Sequence, residues 1–394
     1  MSTERIDLII VTNQSFPIGM AATNRMLSYA KEIAKKRRVT VLITQPTEMP
    51  DHILNKEFEG EINNIHFKYV HKSTIWPKKK SKVFKLFLLL SGIILTFGEI
   101  KKCKPKSILI VGINSTFYSI FLRFILQYSI NRNKTSIFQE MSEYPQLFKC
   151  KSPIQKLDKT LYKNLNGLVI MTKELITFFN NMGQSNCFHL PMTVDVERFN
   201  NYAHKRVNAY YIFKYCGGGT YERDGLKNMV MAFIELRELH QNFEFHIIGP
   251  YDNNSDYIKS VMQVIETNNA FNYIQFVGPV ASDKIPNLLF EADFLIMTPP
   301  KNYASGGFPT KLGEYLATSN PVICTNVSEI PLYLNDKNAI IVEPDNHKML
   351  VTTLKKVLNH PDSYYKIGVE GRLVAEHYFT MGSHTEKLIN FLRL

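Results

Sequence analysis

The sequence lacks any cluster of cysteine and histidine residues with the spacing of a metal site. Its five cysteines are odd in number and lie far apart, at Cys103, Cys150, Cys187, Cys216 and Cys324. This distribution fits neither a zinc-binding pattern nor a disulfide framework. No basic and apolar leader of signal-peptide form precedes the first apolar strand. We therefore expect a protein of the reducing cytoplasm that binds no metal.

The phosphate-binding motifs of two large enzyme classes are also absent. No G-x-x-x-x-G-K-[ST] sequence occurs, which argues against a P-loop ATPase. A dehydrogenase is disfavoured because the loop after the first strand, residues 13–22, contains a single glycine, Gly19. No Ser/His/Asp triad can be argued from the sequence either.

Acidic residues are scarce in the first half of the chain. Residues 1–200 contain 29 Lys and Arg against 15 Asp and Glu, whereas residues 201–394 contain 18 against 20. The excess is concentrated between Lys68 and Lys106, where eleven lysines accompany one acidic residue, Glu99. An apolar run at residues 83–98 lies inside this basic stretch. The run is short for a membrane span, which needs roughly 20 residues.

Three interpretations of that segment remain open. It could be a buried helix of a large α/β domain, or a basic patch for nucleic acid, although no nucleic-acid motif accompanies it. It could instead lie in a membrane interface, with its flanking lysines near anionic lipid head groups. These lysines are Lys78, Lys79, Lys80, Lys82, Lys101 and Lys102. We favour the third interpretation, with segment 78–102 facing the membrane, peripheral association at the inner face of the cytoplasmic membrane, and no nucleic-acid partner.

Strand and helix signals alternate along the whole chain. The length of 394 residues exceeds one ordinary core, and the alternation is typical of parallel α/β layers. One series begins at residues 7–12 and a second at residues 211–216. We predict two doubly wound, Rossmann-like domains, residues 1–192 and 193–378, followed by a helix at 379–394. Because ligands bind at the carboxyl ends of such strands, substrates are expected in the cleft between the domains.

The most informative segment follows the apolar run at residues 292–297. A glycine-rich loop and a proline that suits the first turn of a helix place backbone N–H groups and a helix dipole at the edge of the sheet, where phosphate binds well. Lys311 and Glu314 share one helical face, so a cation for phosphate lies beside a carboxylate for sugar hydroxyls. The alternative is an ordinary turn before a solvated helix. The predicted donor-binding residues are Ser305, Gly306, Gly307, Phe308, Pro309, Thr310, Lys311 and Glu314.

A second glycine loop opens the second series of elements. Gly217, Gly218 and Gly219 follow an apolar strand, and their amides could approach an anion closely. Arg223 and Lys227 come just after them and would supply positive charge. A flexible turn is the competing explanation, but the two cations favour phosphate binding.

The first domain offers weaker candidates. Gly19 brings the backbone close to the predicted cleft, where an acceptor or a donor phosphate could bind. Glu140 and Glu143 follow a predicted strand and could position acceptor hydroxyls or act as acid/base groups. Either could equally be a solvated loop carboxylate. Glu143 joins Glu314, Arg223 and Lys227 as a catalytic candidate.

These pieces together resemble the retaining glycosyltransferases of family four, which have the GT-B fold, and in particular those of bacterial surface-polysaccharide synthesis. The resemblance covers nearly the full length of the chain. It is carried by the loop Pro17–Ala22, the segment Leu190–Phe199, the loop Gly217–Leu226, and the segments Phe245–Gly249, Phe276–Val280, Gly307–Ala317 and Pro321–Ile323. Each piece is weak alone, but their order and spacing are specific.

The resemblance implies a UDP- or GDP-sugar donor bound by the second domain and a saccharide or lipid-linked saccharide acceptor bound by the first. Glu314 matches the carboxylate that bonds the ribose hydroxyls, and Arg223 a basic residue at the diphosphate. It also implies retention at the anomeric carbon, no metal or other cofactor, and a last helix that crosses back to the first domain. Two positions depart from the family pattern, since Gly306 and Gly218 stand where a glutamate and an arginine are frequent. The alternative function is therefore an inactive GT-B scaffold that binds a membrane or a partner enzyme.

Overall fold

The computed structural model describes residues 5–77, 82–113, 116–131, 134–145, 153–200, 209–217, 221–303 and 306–394. The chain divides into two compact units. The N-terminal unit comprises Met1–Thr193 together with Met381–Leu394, and the C-terminal unit comprises Val194–Thr380.

The N-terminal unit is built on an eight-stranded sheet. Its strands are β1 Leu8–Thr12, β2 Val39–Ile43, β3 Glu59–Ile62, β4 Ile65–Tyr69, β5 Ser107–Val111, β6 Ser136–Met141, β7 Gly167–Ile170 and β8 Cys187–His189. They lie in the order β3-β4-β2-β1-β5-β6-β7-β8. All neighbours are parallel except the antiparallel pair β3 and β4. Residues in β1, β2, β5 and β6 are buried throughout, as expected for parallel strands covered on both faces.

Within the described residues before Thr193, five helices alternate with these strands. They are α1 Ala21–Ala34, α2 Lys82–Cys103, α3 Thr116–Ser129, α4 Pro153–Lys163 and α5 Lys173–Asn181. Side chains of α2, α3, α4 and α5 join one core cluster with β1 and β5, whereas α1 belongs to a second cluster.

Helix α2 contains the apolar run singled out in the sequence. Ile93, Thr96 and Ile100 are buried on one side of it, and a Cβ at Gly92 would lie 2.0 Å from the carbonyl oxygen of Thr44. Its other side is exposed, so this is not a fully buried core helix. Among the described residues, α2 is the one helix long and apolar enough to cross a membrane by length and composition. Lys78, Lys79 and Lys80 lie outside the described residues.

The C-terminal unit has a six-stranded parallel sheet. Its strands are β9 Tyr211–Cys216, β10 Phe243–Ile248, β11 Ile274–Gly278, β12 Phe294–Met297, β13 Val322–Thr325 and β14 Ile340–Val342, in the order β11-β10-β9-β12-β13-β14. Its helices are α6 Leu226–Leu239, α7 Asp256–Thr267, α8 Ile285–Phe290, α9 Lys311–Ala317, α10 Ile330–Tyr333, α11 His347–Asn359 and α12 Asp362–Val374. The predicted start of the second series at residues 211–216 agrees with the bounds of β9, and the apolar run at residues 292–297 contains β12.

The last residues of the chain return to the N-terminal unit. Helix α13, Thr385–Phe391, contacts α1, and Leu388, Ile389 and Leu392 are buried in the α1 core cluster. The hydroxyl of Ser107 donates a hydrogen bond to the carbonyl oxygen of Leu392 at 2.5 Å. This segment therefore completes the core of the N-terminal sheet.

Candidate active site

The described residues of the glycine-rich loop before α9, together with Lys311 and Glu314, lie at the carboxyl edge of the C-terminal sheet. The loops after β9, β12 and β13 meet there, because β9 and β13 both flank β12. Tyr315 of α9 fixes part of this edge: its hydroxyl accepts a hydrogen bond from the amide of Cys216 at 2.6 Å and donates one to the carbonyl oxygen of the same residue at 3.1 Å. Helix α9 is therefore held against the end of β9.

The glycine-rich loop before α9 is held by contacts on two sides. The hydroxyl of Ser328, in the loop after β13, donates to the carbonyl oxygen of Gly307 at 2.6 Å. The Phe308 ring is buried against the rings of Tyr333 and Phe379, with centroid distances of 5.9 and 5.8 Å. Gly306 has a φ of +70°, the left-handed conformation that glycine adopts at little cost. These contacts give the loop backbone a defined path.

The start of α9 differs from the sequence prediction. The helix begins at Lys311, so Pro309 lies two residues before it rather than in its first turn. With seven residues, the helix is about two turns long. A helix of this length contributes little dipole, so anion binding by the amides of the preceding loop stays a prediction.

Lys311 belongs to a buried polar cluster. Its ammonium group forms an ion pair with Asp224 and lies 3.5 Å from the hydroxyl of Tyr215. The Tyr215 hydroxyl also donates to Asp224, whose side chain is almost fully buried. Burial, together with the Asp224 carboxylate, raises the pKa of Tyr215 well above its usual value, so this hydroxyl stays protonated. Asp224 thus holds Lys311 in place and balances part of its charge.

Glu314, three residues later, has a different partner. Its Oε1 lies 3.1 Å from Nη1 of Arg198, which comes from a short 3-10 helix at Val196–Phe199. Nη2 of Arg198 donates to the carbonyl oxygen of Ser282 at 2.9 Å. Burial raises the pKa of Glu314 above its usual value, and the Arg198 guanidinium opposes that shift. The pair presents an oriented carboxylate that can accept hydrogen bonds from ligand hydroxyls.

Arg223 lines a cleft at the same edge. The cleft has a volume of about 920 Å³ and is lined by Glu222, Arg223, Pro300, Lys301, Asn302, Tyr303 and Asp345. The guanidinium of Arg223 lies 4.7 Å from the centre of the Tyr303 ring. This is a cation–π contact, which stabilises the charged arginine side chain at this position. The cleft is thus bordered by groups of both signs, with Arg223 among the cations.

Lys227 points elsewhere. Its ammonium group lies 3.3 Å from the hydroxyl oxygen of Ser260 on α7, and its amide donates to the hydroxyl of Tyr257 at 2.9 Å. These bonds fix the first turn of α6 against α7. Its predicted contact with a phosphate stays a prediction.

Gly225 is needed where the loop after β9 enters α6. Its φ is +77°, and a Cβ there would lie 2.1 Å from the carbonyl oxygen of Thr298. We expect Gly225→Ala to destabilise the C-terminal unit by about 2–4 kcal/mol, because a left-handed alanine is strained and its methyl group overlaps the backbone after β12. Scanning calorimetry measures this as a lower unfolding temperature.

Gly278→Ala is the matched control for that variant. Gly278 also has a positive φ, +83°, but a Cβ there meets nothing within 4 Å. It should cost only the conformational strain, about 1–2 kcal/mol. Equal losses in the two variants would contradict the steric role of Thr298.

The candidates of the N-terminal unit lie at the carboxyl edge of its own sheet. The loop containing Gly19 is tied to the loop after β2. The Asn55 amide donates to the carbonyl oxygen of Ile18 at 2.8 Å, and Asn55 also accepts from the Ile18 amide at 2.9 Å. The hydroxyl of Ser15 donates to Glu48 at 2.6 Å. A side chain at Gly19 would collide with Thr23, so glycine allows this loop to close onto α1.

Glu140 and Glu143 have different environments. Glu140 belongs to β6, is buried, and forms an ion pair with Arg25, so its interpretation as a solvated loop carboxylate is wrong. Glu143 lies two residues beyond β6 and is half-buried. Gly217 directly follows β9 and is buried, whereas Gly218, Gly219 and Ser305 lie outside the described residues.

Sequence reasoning missed Asp224 and Arg198 as partners of Lys311 and Glu314. Asp224 was visible as a carboxylate beside Arg223, and Arg198 as a cation in the segment before the second series of strands. Neither could be paired from spacing, since the contacts span 87 and 116 residues.

Comparison with known proteins identifies the C-terminal unit. Residues 211–360 match the family "Glycosyl transferases group 1". A search of curated protein sequences gives no match. The chain therefore carries a group 1 glycosyltransferase domain, and the prediction of a glycosyltransferase is confirmed at this level.

Solved structures match the chain over nearly its whole length. A sucrose-phosphate synthase from Thermosynechococcus elongatus superposes with a TM-score of 0.76 at 12% identity, covering 98% of each chain. HepE from Anabaena, in complex with UDP and glucose, gives a TM-score of 0.69 at 13% identity over 98% of this chain and 99% of its own. A glycosyltransferase from Rickettsia africae gives 0.69 at 14% over 99% and 98%. At these identities the likeness concerns the fold, and the predicted GT-B fold is confirmed.

Proposed function

We propose that this chain is a retaining glycosyltransferase of family four that transfers a sugar from a UDP- or GDP-sugar to a saccharide or lipid-linked saccharide in cell-surface polysaccharide synthesis. The observation that supports this most is the pair of neighbouring ion pairs at the carboxyl edge of the group 1 domain. Arg198 orients Glu314, and Asp224 holds Lys311, which precedes Glu314 by three residues in α9. A carboxylate beside a cation suits a ribose next to a diphosphate.

In this proposal the donor occupies the edge formed by the loops after β9, β12 and β13. Glu314 accepts hydrogen bonds from the ribose hydroxyls. The backbone N–H groups of residues 306–308 and 310, together with Lys311 and Arg223, interact with the diphosphate. HepE has been solved with UDP and with UDP-glucose, which makes a UDP-sugar the first donor to test.

The chemistry then needs no group beyond those of the chain and its substrates. The bond between the anomeric carbon and the diphosphate oxygen breaks as the acceptor oxygen bonds to that carbon, and the departing phosphate takes the acceptor proton. Negative charge grows on the diphosphate during this step, and preorganised donors stabilise it. Gly19 and Glu143 are proposed acceptor-side residues of the N-terminal unit.

We also propose peripheral association with an anionic membrane at the inner face of the cytoplasmic membrane. Helix α2 supports it, because its outer side carries exposed Val83, Phe87 and Ile94 within the basic segment 78–102. An acceptor linked to a lipid would be reached from that position.

Calorimetric titration with nucleoside diphosphates tests the donor proposal directly. We expect wild-type protein to bind UDP or GDP with a dissociation constant at or below about 1 mM, the upper range of enzyme substrates, and ADP more weakly. Asp224→Asn should weaken binding about tenfold or more, because Lys311 loses the partner that orients it.

Glu244→Gln is the matched control for that variant. Glu244 contacts His246 within β10 and lies outside the proposed donor edge, so UDP affinity should not change. If UDP, GDP and ADP all give no binding heat, the donor proposal is wrong. If one of them binds, a panel of nucleotide sugars read by mass spectrometry then identifies the donor.

A further inference from the structure

Helix α3 carries an exposed aromatic stripe for which the proposed donor chemistry has no use. Phe117, Phe121, Phe124 and Tyr128 are spaced by four, three and four residues and therefore lie on one helical face. Phe117 is 68% exposed and Tyr128 64%. The opposite face of α3 is buried in the core through Tyr118, Leu122 and Leu126. The stripe thus points away from the sheet.

Helix α2 presents a matching stripe beside it. Val83, Leu86, Phe87, Leu90 and Ile94 are exposed and follow helical spacing. The buried side of α2 packs through Ile93 and Ile100 into the same core cluster as α3, and the two helices contact each other. Two neighbouring helices therefore cover one face of the sheet, and the two stripes together contain nine exposed large apolar side chains. We call this surface the α2–α3 face.

The charges around the α2–α3 face have one sign. Helix α3 contains no acidic residue, and its Arg123 is buried in an ion pair with Asp158, the one acidic residue of α4. Glu99 of α2 is paired with lysines. Helix α4 contacts α3. Among the described side chains of the three helices, the exposed charged ones are Lys85, Lys101, Lys102, Lys156, Lys159 and Lys163.

We propose that the α2–α3 face, including the aromatic stripe of α3 and the α4 lysines, docks the N-terminal unit onto an anionic lipid bilayer. Apolar side chains that insert between lipids and a lysine rim that meets acidic head groups are the two contributions to interfacial binding. A second copy of the chain is a poorer occupant, because a two-fold interface would place this basic rim against itself. Since the inner side of α2 packs on the sheet, the helix lies on the bilayer rather than crossing it.

The docked face adjoins the edge where the acceptor is proposed to bind. Gly92 packs against the carbonyl oxygen of Thr44, just after β2, and the imidazole of His71, two residues after β4, lies 3.0 Å from the carbonyl oxygen of Leu88. The first half of α2 therefore runs beside the carboxyl ends of these strands. This inference rests on the proposed function and deepens it: the acceptor is one that the bilayer itself presents, a saccharide carried on a lipid.

Flotation with vesicles tests the proposal with the full chain. Wild-type protein should float with vesicles of phosphatidylcholine and phosphatidylglycerol, and less with phosphatidylcholine alone. The triple variant Phe117→Ser, Phe121→Ser, Phe124→Ser should bind the anionic vesicles about tenfold more weakly or worse. Phe271→Ser, at a position 53% exposed in the C-terminal unit, is the matched control and should bind normally.

A second pair of variants tests the contribution of the α4 lysines to vesicle binding. Lys156→Gln with Lys159→Gln should weaken binding and reduce its dependence on salt, whereas Lys355→Gln with Lys356→Gln on α11 should not. A conservative variant that reports insertion into the bilayer is needed if the serine variants fail to fold. Phe124→Trp in a Trp76→Phe background, which leaves one tryptophan, should show blue-shifted emission and quenching by brominated lipids.

The outcomes separate docking from donor binding. UDP affinity of the α3 variants should equal that of the wild type. Normal vesicle binding by the α3 triple variant, or tryptophan emission of the Phe124→Trp protein that vesicles do not change, would overturn the inference while membrane association through α2 stands. A wild type that binds UDP but no vesicles, or that forms a dimer dissociated by Phe117→Ser, would also overturn it and leave the donor proposal intact.

Discussion

The Glu314→Gln variant is expected to lose about a hundredfold or more in kcat/KM, because two charge-assisted hydrogen bonds to ribose hydroxyls would each lose the carboxylate. The substitution keeps the size of the side chain and removes only its charge. It also leaves the half-buried Arg198 guanidinium without the anion 3.1 Å away. Steady-state kinetics with the donor found by screening measure the change.

The pH profile gives the same residue a second readout. Burial raises the pKa of Glu314 above its usual value, so the acid limb of kcat/KM should lie above pH 4.5, the ordinary value for glutamate. Arg198 favours the ionised form. Removing it with Arg198→Gln raises the pKa of Glu314 further and should move the acid limb to higher pH.

Arg237→Gln is the control for the charge removed at Arg198. Arg237 lies on α6 with its guanidinium over the Tyr273 ring, and its loss should leave the pH profile in place. An acid limb that does not move in Arg198→Gln would show that Glu314 is not the titrating group. Full activity of Glu314→Gln would remove it from the site altogether.

The fold could be predicted where one strand or helix carries its own signal. Strand β9 is mostly apolar and is followed by Gly217, and β12 is fully apolar and is followed by Thr298 and Pro299, so the sequence indicates both strands. The edge strand β3 was missed, because Glu59–Ile62 is partly exposed and polar. Its strand character comes from pairing with β4, which periodicity does not reveal.

Single residues of the candidate site could be predicted from the sequence, but their ion-pair partners could not. The spacing of Lys311 and Glu314 put both on one helical face. Their partners Asp224 and Arg198 come from distant segments, so only the folded chain brings them together. Glu140 shows the reverse case, since a carboxylate after an apolar run looked like a loop residue and is instead buried in β6. A charged side chain can be buried when it has a partner of opposite charge, and here that partner comes from a distant part of the sequence.

Because Arg25 is the buried partner of Glu140, Arg25→Met is the variant with the largest expected effect on stability. Both side chains of the Arg25–Glu140 pair are at most 6% exposed. Arg25 also donates to the carbonyl oxygens of Leu190 and Pro191, and the Tyr29 hydroxyl donates to Glu140 at 3.1 Å. Removing the guanidinium leaves a buried carboxylate with no cation, which costs about 3–5 kcal/mol. Urea unfolding followed by the fluorescence of Trp76, the single tryptophan, reports on the N-terminal unit alone.

Two further variants separate the buried charge from the lost packing. Lys35→Met removes the partner of Glu32 at the C-terminal end of α1, where the lysine is 55% exposed. It should change stability by less than about 1 kcal/mol, because water screens that pair. Arg25→Met with Glu140→Met should recover much of the loss, since no unpaired charge then remains inside the unit. The carbonyl oxygens of Leu190 and Pro191 still lack their donor in the double variant, so recovery should be incomplete. If the double variant is as unstable as Arg25→Met, the stability comes from the hydrogen bonds of Arg25 to these carbonyl oxygens rather than from the ion pair.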